Sequence, residues 1–223
     1  MRIMKNILDF IFDKRHGTDT ADIVRLEDLT IESKKKRLGN FYVATPVYEF
    51  RKIIRHLGID TTKYTFVDFG CGKGRVLLYA IDYKFLNIIG IEFSNQLAKI
   101  AADNIAKVDK ENRCHPKIIV GDAAEFIIPR EPCVLFFFNP FSDIVTSEVL
   151  SNIYNAYRAN NLDIYVVWYN VTPCAAPLFE APWLKILVGE QTCNTLWDER
   201  SLLQTAEISL PYSIFKVSQI RAG

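Results

Sequence analysis

Val67-Asp68-Phe69-Gly70-Cys71-Gly72-Lys73-Gly74-Arg75 runs from an apolar strand through a cluster of glycines into the helical run Val76 to Ile81. The pattern predicts strand, tight turn and helix. Glycine accepts positive φ and lets another group touch the backbone, while the first turn of the following helix offers unpaired N–H groups and the positive end of its dipole. An anionic group can bind there. The Walker loop is excluded because Lys73 is followed by Gly74 rather than Ser or Thr, and the dinucleotide fingerprint because its last glycine would stand one residue later, where Arg75 is. What remains is an acidic residue, Asp68, leading Gly70-x-Gly72-x-Gly74.

On either side of this loop, strand and helix patterns alternate as in a doubly wound sheet. Strands are expected at Tyr64 to Phe69, Ile88 to Phe93, Lys117 to Val120, Cys133 to Phe138 and Asp163 to Tyr169. Helices are expected from about Gly74 to Asp82, after a Ser94 cap, briefly over Ala123 to Ile127, and from about Ile144 to Ala159. Ahead of the sheet, Thr45 is expected to cap a helix from Pro46 to Leu57 that Gly58 ends. After Pro173 and Pro177, Trp183 to Val188 and Tyr212 to Val217 read as two strands without a crossover helix, hence an antiparallel pair.

The chain has 223 residues, 49% of them hydrophobic, which suits one substantial core. We expect an N-terminal extension over residues 1–45 and a single domain over 46–223. A net charge of +1 gives no global field for nucleic acid or an anionic membrane. The cysteines at 71, 114, 133, 174 and 193 contain no Cys-x-x-Cys pair, and with only three histidines neither a zinc site nor a disulfide framework is suggested, so a reducing, cytoplasmic setting is expected. The first fifteen residues mix Ile3, Ile7, Phe10 and Phe12 with Lys5, Asp9, Asp13 and Lys14, an amphipathic helix rather than a signal peptide or membrane span. The run Ser33-Lys34-Lys35-Lys36-Arg37 reads as a solvated face.

In a doubly wound sheet, ligands bind at the carboxyl ends of the strands, beside the point where strand order reverses. Glu92 stands there about twenty residues after the glycine loop, where a carboxylate can accept both hydrogen bonds of a ribose diol. Gly121-Asp122-Ala123-Ala124 follows the third strand, and Asn139-Pro140-Phe141 follows Phe136-Phe137-Phe138 at the end of the fourth. Tyr169-Asn170 after the fifth strand, Lys73 and Arg75 beside the helix start, and Tyr42 and Thr45 ahead of the domain are secondary candidates.

Asp68 through Gly74 resembles motif I of the class I S-adenosylmethionine-dependent methyltransferases, and the later residues resemble the motifs that follow it, over roughly residues 46–172. The whole sequence, with Phe12-Asp13-Lys14-Arg15-His16-Gly17-Thr18-Asp19-Thr20 ahead of the domain, looks like a bacterial group of uncharacterised members of that class. The resemblance implies a Rossmann-like α/β fold: a seven-stranded, mostly parallel sheet in the order 3-2-1-4-5-7-6, its C-terminal strand antiparallel, with helices on both faces. It implies S-adenosylmethionine as cofactor and S-adenosylhomocysteine as product. Asp68, Gly70, Cys71, Gly72 and Gly74 would carry the methionine end, Glu92 the ribose, and Asp122 with Ala123 the adenine. Asn139-Pro140-Phe141 resembles the Asn/Asp-Pro-Pro-Tyr/Phe motif of amino-group methyltransferases with one proline missing, which implies that Asn139 holds a target nitrogen beside the cofactor and Phe141 stacks on the substrate. Lids over the cofactor in this class fall where Tyr42 and Thr45 stand.

The reaction expected is therefore methyl transfer to an amino nitrogen of a protein lysine or another amine. A small-molecule or nucleic-acid acceptor is the alternative, and a cofactor-binding module without catalysis is the rival from another class. A nicotinamide oxidoreductase is disfavoured by the glycine spacing. Transfer from a sulfonium to a neutral amine needs alignment and exclusion of water more than acid or base help, so no metal or covalent nucleophile is required.

Overall fold

Strand β1 (Thr65–Phe69) is buried at every position and sits in the middle of the sheet, between β2 (Asn87–Glu92) and β4 (Cys133–Phe138). The computed structural model describes residues 10–25, 27, 29, 42–109, 115–189 and 211–219. Beyond β2 lies β3 (Lys117–Val120); beyond β4 come β5 (Ile164–Tyr169), β7 (Tyr212–Val217) and β6 (Leu184–Gly189), giving the order β3-β2-β1-β4-β5-β7-β6 in seven strands. β7 runs antiparallel to both β5 and β6, and the other pairings are parallel. The order reverses between β1 and β4, which places the switch point beside the glycine loop.

The central strands read as continuous apolar runs because both faces are covered. Successive side chains point to opposite faces. Val67, Phe69, Leu135, Phe137, Val166 and Trp168 therefore pack in one layer with Val149 and Ile153 of α5 (Asp143–Asn160) and Leu178 of α6 (Ala176–Glu180). Phe66, Val134, Phe136, Val167 and Tyr169 pack in the other, against Phe50 and Ile53 of α2 (Val47–Leu57), Leu77 and Ala80 of α3 (Arg75–Ile81) and Ile105 of α4 (Asn95–Val108). Stacked rings of Phe69, Phe137 and Trp168 cross three neighbouring strands, with centroids 4.6 and 5.1 Å apart. Each such buried aromatic contributes roughly 2–3 kcal/mol.

The start of α4 is capped as expected, Ser94 Oγ accepting from Leu97 N at 3.3 Å. Gly58 ends α2 with φ of 60°. Other boundaries differ. Thr45 makes no cap: Pro46 occupies the cap position without a side-chain bond, α2 begins at Val47, and Thr45 is buried with its carbonyl accepting from the Tyr79 hydroxyl. The helix expected to reach Ile127 is a 3-10 turn, Ala123–Glu125, because Phe126 already has an extended backbone. A 3-10 turn, Pro173–Ala175, and α6 follow β5, where only prolines had been read. Helix α1 spans 10–16, and the earlier residues of the amphipathic helix expected at the N-terminus lie outside the described residues. The cluster Ser33 to Arg37 and the link between β6 and β7 lie outside the described residues.

Candidate functional site

The glycine loop turns because Gly70, Gly72 and Gly74 all hold left-handed φ, at 78°, 54° and 82°. Its tightness comes from the protein's own packing. A Cβ on Gly70 would stand 2.6 Å from Cβ of Pro140, one on Gly72 would stand 2.1 Å from Cδ2 of Tyr42, and one on Gly74 would stand 3.1 Å from Cβ of Ala101 on α4. The loop is thus clamped by the turn after β4, by the N-terminal extension and by a neighbouring helix. Cys71 turns its thiol into the core against Gly90, and burial, with Glu92 and Asp68 nearby, pushes that thiol well up from its ordinary pKa.

Glu92, the last residue of β2, joins three strand ends. Its carboxylate accepts from Gly72 N and from Ser94 N, each at 2.9 Å, and its carbonyl accepts from Gly121 N at 3.0 Å. The side chain is buried, which raises its pKa to about 7 against the opposing pull of the Ser94, Gly72 and Phe93 amides. Asp68 on β1 is buried beside it; burial first and the Glu92 charge second push its carboxyl well above the ordinary range. Asp122, just past β3, caps the 3-10 turn through Ala124 N at 2.9 Å, and Ala123 opens that turn half-buried.

The turn after β4 carries Asn139 at φ of 41°, a left-handed conformation that asparagine tolerates. The Thr172 hydroxyl donates to Asn139 Oδ1 at 2.7 Å, fixing the plane of the amide. Pro140 rests on Gly70, so the turn expected to face the acceptor and the loop expected to carry the cofactor are in contact. Phe141 turns the other way. It is buried, edge-on to Phe137 and Trp168, and supports the turn from beneath. Asn170 follows β5 at φ of 63°, one register step beyond the pair Phe138 and Tyr169.

Lys73 and Arg75 are buried, and the N-terminal extension supplies their ion pairs: Lys73 Nζ meets Asp19 at 2.7 Å, and Arg75 reaches Asp13 at 3.7 Å while donating to the Thr20 hydroxyl and, within α3, to the Tyr79 hydroxyl at 3.2 Å. Asp13, Asp19, Thr20 and Asn104 are therefore parts of the site's surroundings that the sequence reading passed over, as is Thr172. The signal present in the sequence was the compact polar turn Gly17-Thr18-Asp19-Thr20 directly after a helix. Among the described residues no group of three or more His, Cys, Asp or Glu is arranged to hold a metal ion, and no helix is long and apolar enough to cross a membrane.

No family model matches the sequence, and no curated protein matches it. Solved structures match in fold. The magnesium protoporphyrin IX methyltransferase of Synechocystis PCC 6803, with bound S-adenosylmethionine, is 12% identical over 78% of this chain and 79% of that one, with a TM-score of 0.54. An RNA methyltransferase from Salinibacter ruber, in complex with S-adenosylhomocysteine, is 15% identical over 79% and 95%, with a TM-score of 0.52. TrmK of M. capricolum, also in complex with S-adenosylhomocysteine, is 12% identical over 75% and 67%, with a TM-score of 0.51. At such identities the likeness is one of fold, and the fold is the Rossmann-like one of class I methyltransferases.

Proposed function

We propose that this chain is an S-adenosylmethionine-dependent methyltransferase acting on an amino nitrogen. The observation that carries the reading is the meeting, at the carboxyl edge of β1, β2 and β4, of a glycine loop, a buried carboxylate bonded to that loop, and an asparagine turn packed on it. The fold neighbours that hold S-adenosylmethionine or S-adenosylhomocysteine support the choice of ligand.

The donor set suits that ligand. A carboxylate offers about four lone-pair positions. Glu92 spends some of them on Gly72 N and Ser94 N, which aim it at the loop and leave capacity for a ribose diol. Asp122, with the backbone of Ala123, offers an acceptor and a donor to an aminopurine edge, and Gly70 to Gly74 lend the backbone that the methionine end would lie along. When bound, the cofactor supplies an electrophilic methyl group on a sulfonium.

The chain's own residues then hold and align the acceptor. Asn139 Oδ1, an amide carbonyl held in place by the Thr172 hydroxyl, is the acceptor that would meet the N–H of an incoming amine. Held this way, the nitrogen keeps its own lone pair free to point along the line of transfer. Phe141 and Trp168 keep the floor of the turn dry. The test is methyl transfer from labelled S-adenosylmethionine to a panel of lysine peptides, simple amines, carboxylates and RNA. Label recovered as N-methyl groups stable to base is the expected result. Label only in base-labile esters, or in RNA only at ribose oxygens or carbon atoms, would overturn the amine assignment and leave the cofactor assignment standing.

A further inference from the structure

Asp13 lies sixty-two positions before Arg75 in sequence and yet gathers the segment that covers the glycine loop. One carboxylate oxygen accepts from the hydroxyls of Thr18 at 2.7 Å and Thr20 at 2.6 Å; the other accepts from the backbone N–H groups of Thr20 and Ala21, both at 2.7 Å. Arg75, at the start of α3, closes the arrangement from the domain side: its guanidinium lies 3.7 Å from Asp13, donates to the Thr20 hydroxyl, and sits 4.4 Å above the Phe12 ring. Burial works against the Asp13 charge, but the bonds from Thr20 and Thr18 and the nearby Arg75 outweigh it and hold the carboxyl below its ordinary pKa.

Thr20 passes this placement on. Its carbonyl accepts from the Tyr42 hydroxyl at 2.8 Å, and the Tyr42 backbone pairs with Val24 through bonds of 2.9 and 3.2 Å. The Tyr42 ring in turn lies against Gly72, in the space that any side chain there would need. A second tie runs alongside: Asn104 of α4 donates to the carbonyls of Asp19 and Lys73 at 2.9 and 3.0 Å and accepts from Asp19 N at 2.9 Å. A cap needing only apolar cover would not place a carboxylate, a guanidinium and the Asn104 amide on the segment that lies over one glycine.

We infer that Asp13 is a positioning residue of the cofactor site: it sets Thr20, Thr20 sets Tyr42, and Tyr42 forms the wall over Gly72 against which the methionine end of the cofactor is held. The inference rests on the reading of the glycine loop as an S-adenosylmethionine site. It is tested by titrating S-adenosylhomocysteine into the full-length wild type first, then into Asp13→Asn, Tyr42→Ala and the double variant, each confirmed folded by circular dichroism. Asp13→Asn keeps the shape but turns an amide donor toward donors, and we expect it to raise Kd roughly tenfold, the scale of one or two lost hydrogen bonds. Tyr42→Ala should do at least as much. The double variant should be no weaker than Tyr42→Ala alone, because contacts acting through one chain of partners are not additive. An unchanged Kd in folded Asp13→Asn, or effects that simply add, overturns the proposal and leaves Asp13 a stability residue. Should Asp13→Asn fail to fold, amide exchange at Thr20 and Ala21 in the wild type decides: slowing by S-adenosylhomocysteine supports the proposal, and unchanged exchange overturns it. A wild type that binds no S-adenosylhomocysteine removes the parent reading, and the inference with it.

Discussion

Glu92 connects the ends of β1, β2 and β3 through a side chain and a carbonyl, and its titration is the most direct handle on the site. Its pKa is raised from 4.5 to about 7, so the folded chain binds a proton that the unfolded chain releases across that interval. Stability from this group is present in full below about pH 4.5 and is lost as pH rises through about 7, up to about 3 kcal/mol in all. Urea unfolding of the ligand-free protein should show that decline, and Glu92→Gln should flatten it; an equal slope in both would place the proton elsewhere. Since the ionised form is the one that accepts two bonds from a diol, affinity for S-adenosylhomocysteine should rise up to about tenfold between about pH 6 and pH 8 in the wild type and not in Glu92→Gln. At this scale the sequence was legible in part. The spacing of Glu92 from the glycines marked it, because the ribose distance is set by one helix and one strand. The glycines were read as leaving room for a ligand, whereas Gly70, Gly72 and Gly74 leave room for Pro140, Tyr42 and Ala101, contacts that no local pattern encodes.

Among the elements, β4 and the turn that ends it are where the proposed function places the acceptor. Six buried or half-buried apolar residues, Cys133–Phe138, fix the strand, and Asn139 leaves it in a left-handed turn that points the chain back over Gly70. If the Asn139 amide holds the acceptor nitrogen, Asn139→Ala should leave the affinity for S-adenosylhomocysteine nearly intact and lower kcat by roughly 100-fold or more, the scale on which small misplacements of reacting groups act. Thr172→Val, which removes the hydroxyl bonded to the amide and leaves the amide in place, should lower kcat less. Single-turnover transfer beside a cofactor titration checks both, and normal turnover in folded Asn139→Ala would reduce the turn to a structural corner. The strands here were legible because their apolar runs are long and bounded. The direction of Phe141 was not: Asn-Pro-Phe has no pattern telling whether the ring faces a substrate or the core, and packing against Phe137 and Trp168 decides for the core.

For the molecule as a whole, the alternation of strands and helices anticipated a doubly wound sheet ending in an antiparallel pair, while the order of its strands was expected from the family resemblance and not from the alternation. What sequence could not convey is how residues 10–25 lie on the domain. Asp13 with Arg75, Asp19 with Asn104 and Thr20 with Tyr42 are pairings across long separations, made by short polar side chains that look the same in any surface loop. They bring the extension to the same edge of the sheet as Glu92 and Asn139, so the extension, the glycine loop and the turn after β4 converge at the place proposed for the cofactor. Isothermal titration of the full-length protein with S-adenosylmethionine, S-adenosylhomocysteine and NAD, each alone and in competition, tests that convergence most directly. Saturable one-to-one binding of both sulfur nucleosides, unaffected by NAD, is the predicted result; absence of binding by either, or displacement of them by NAD, would contradict it.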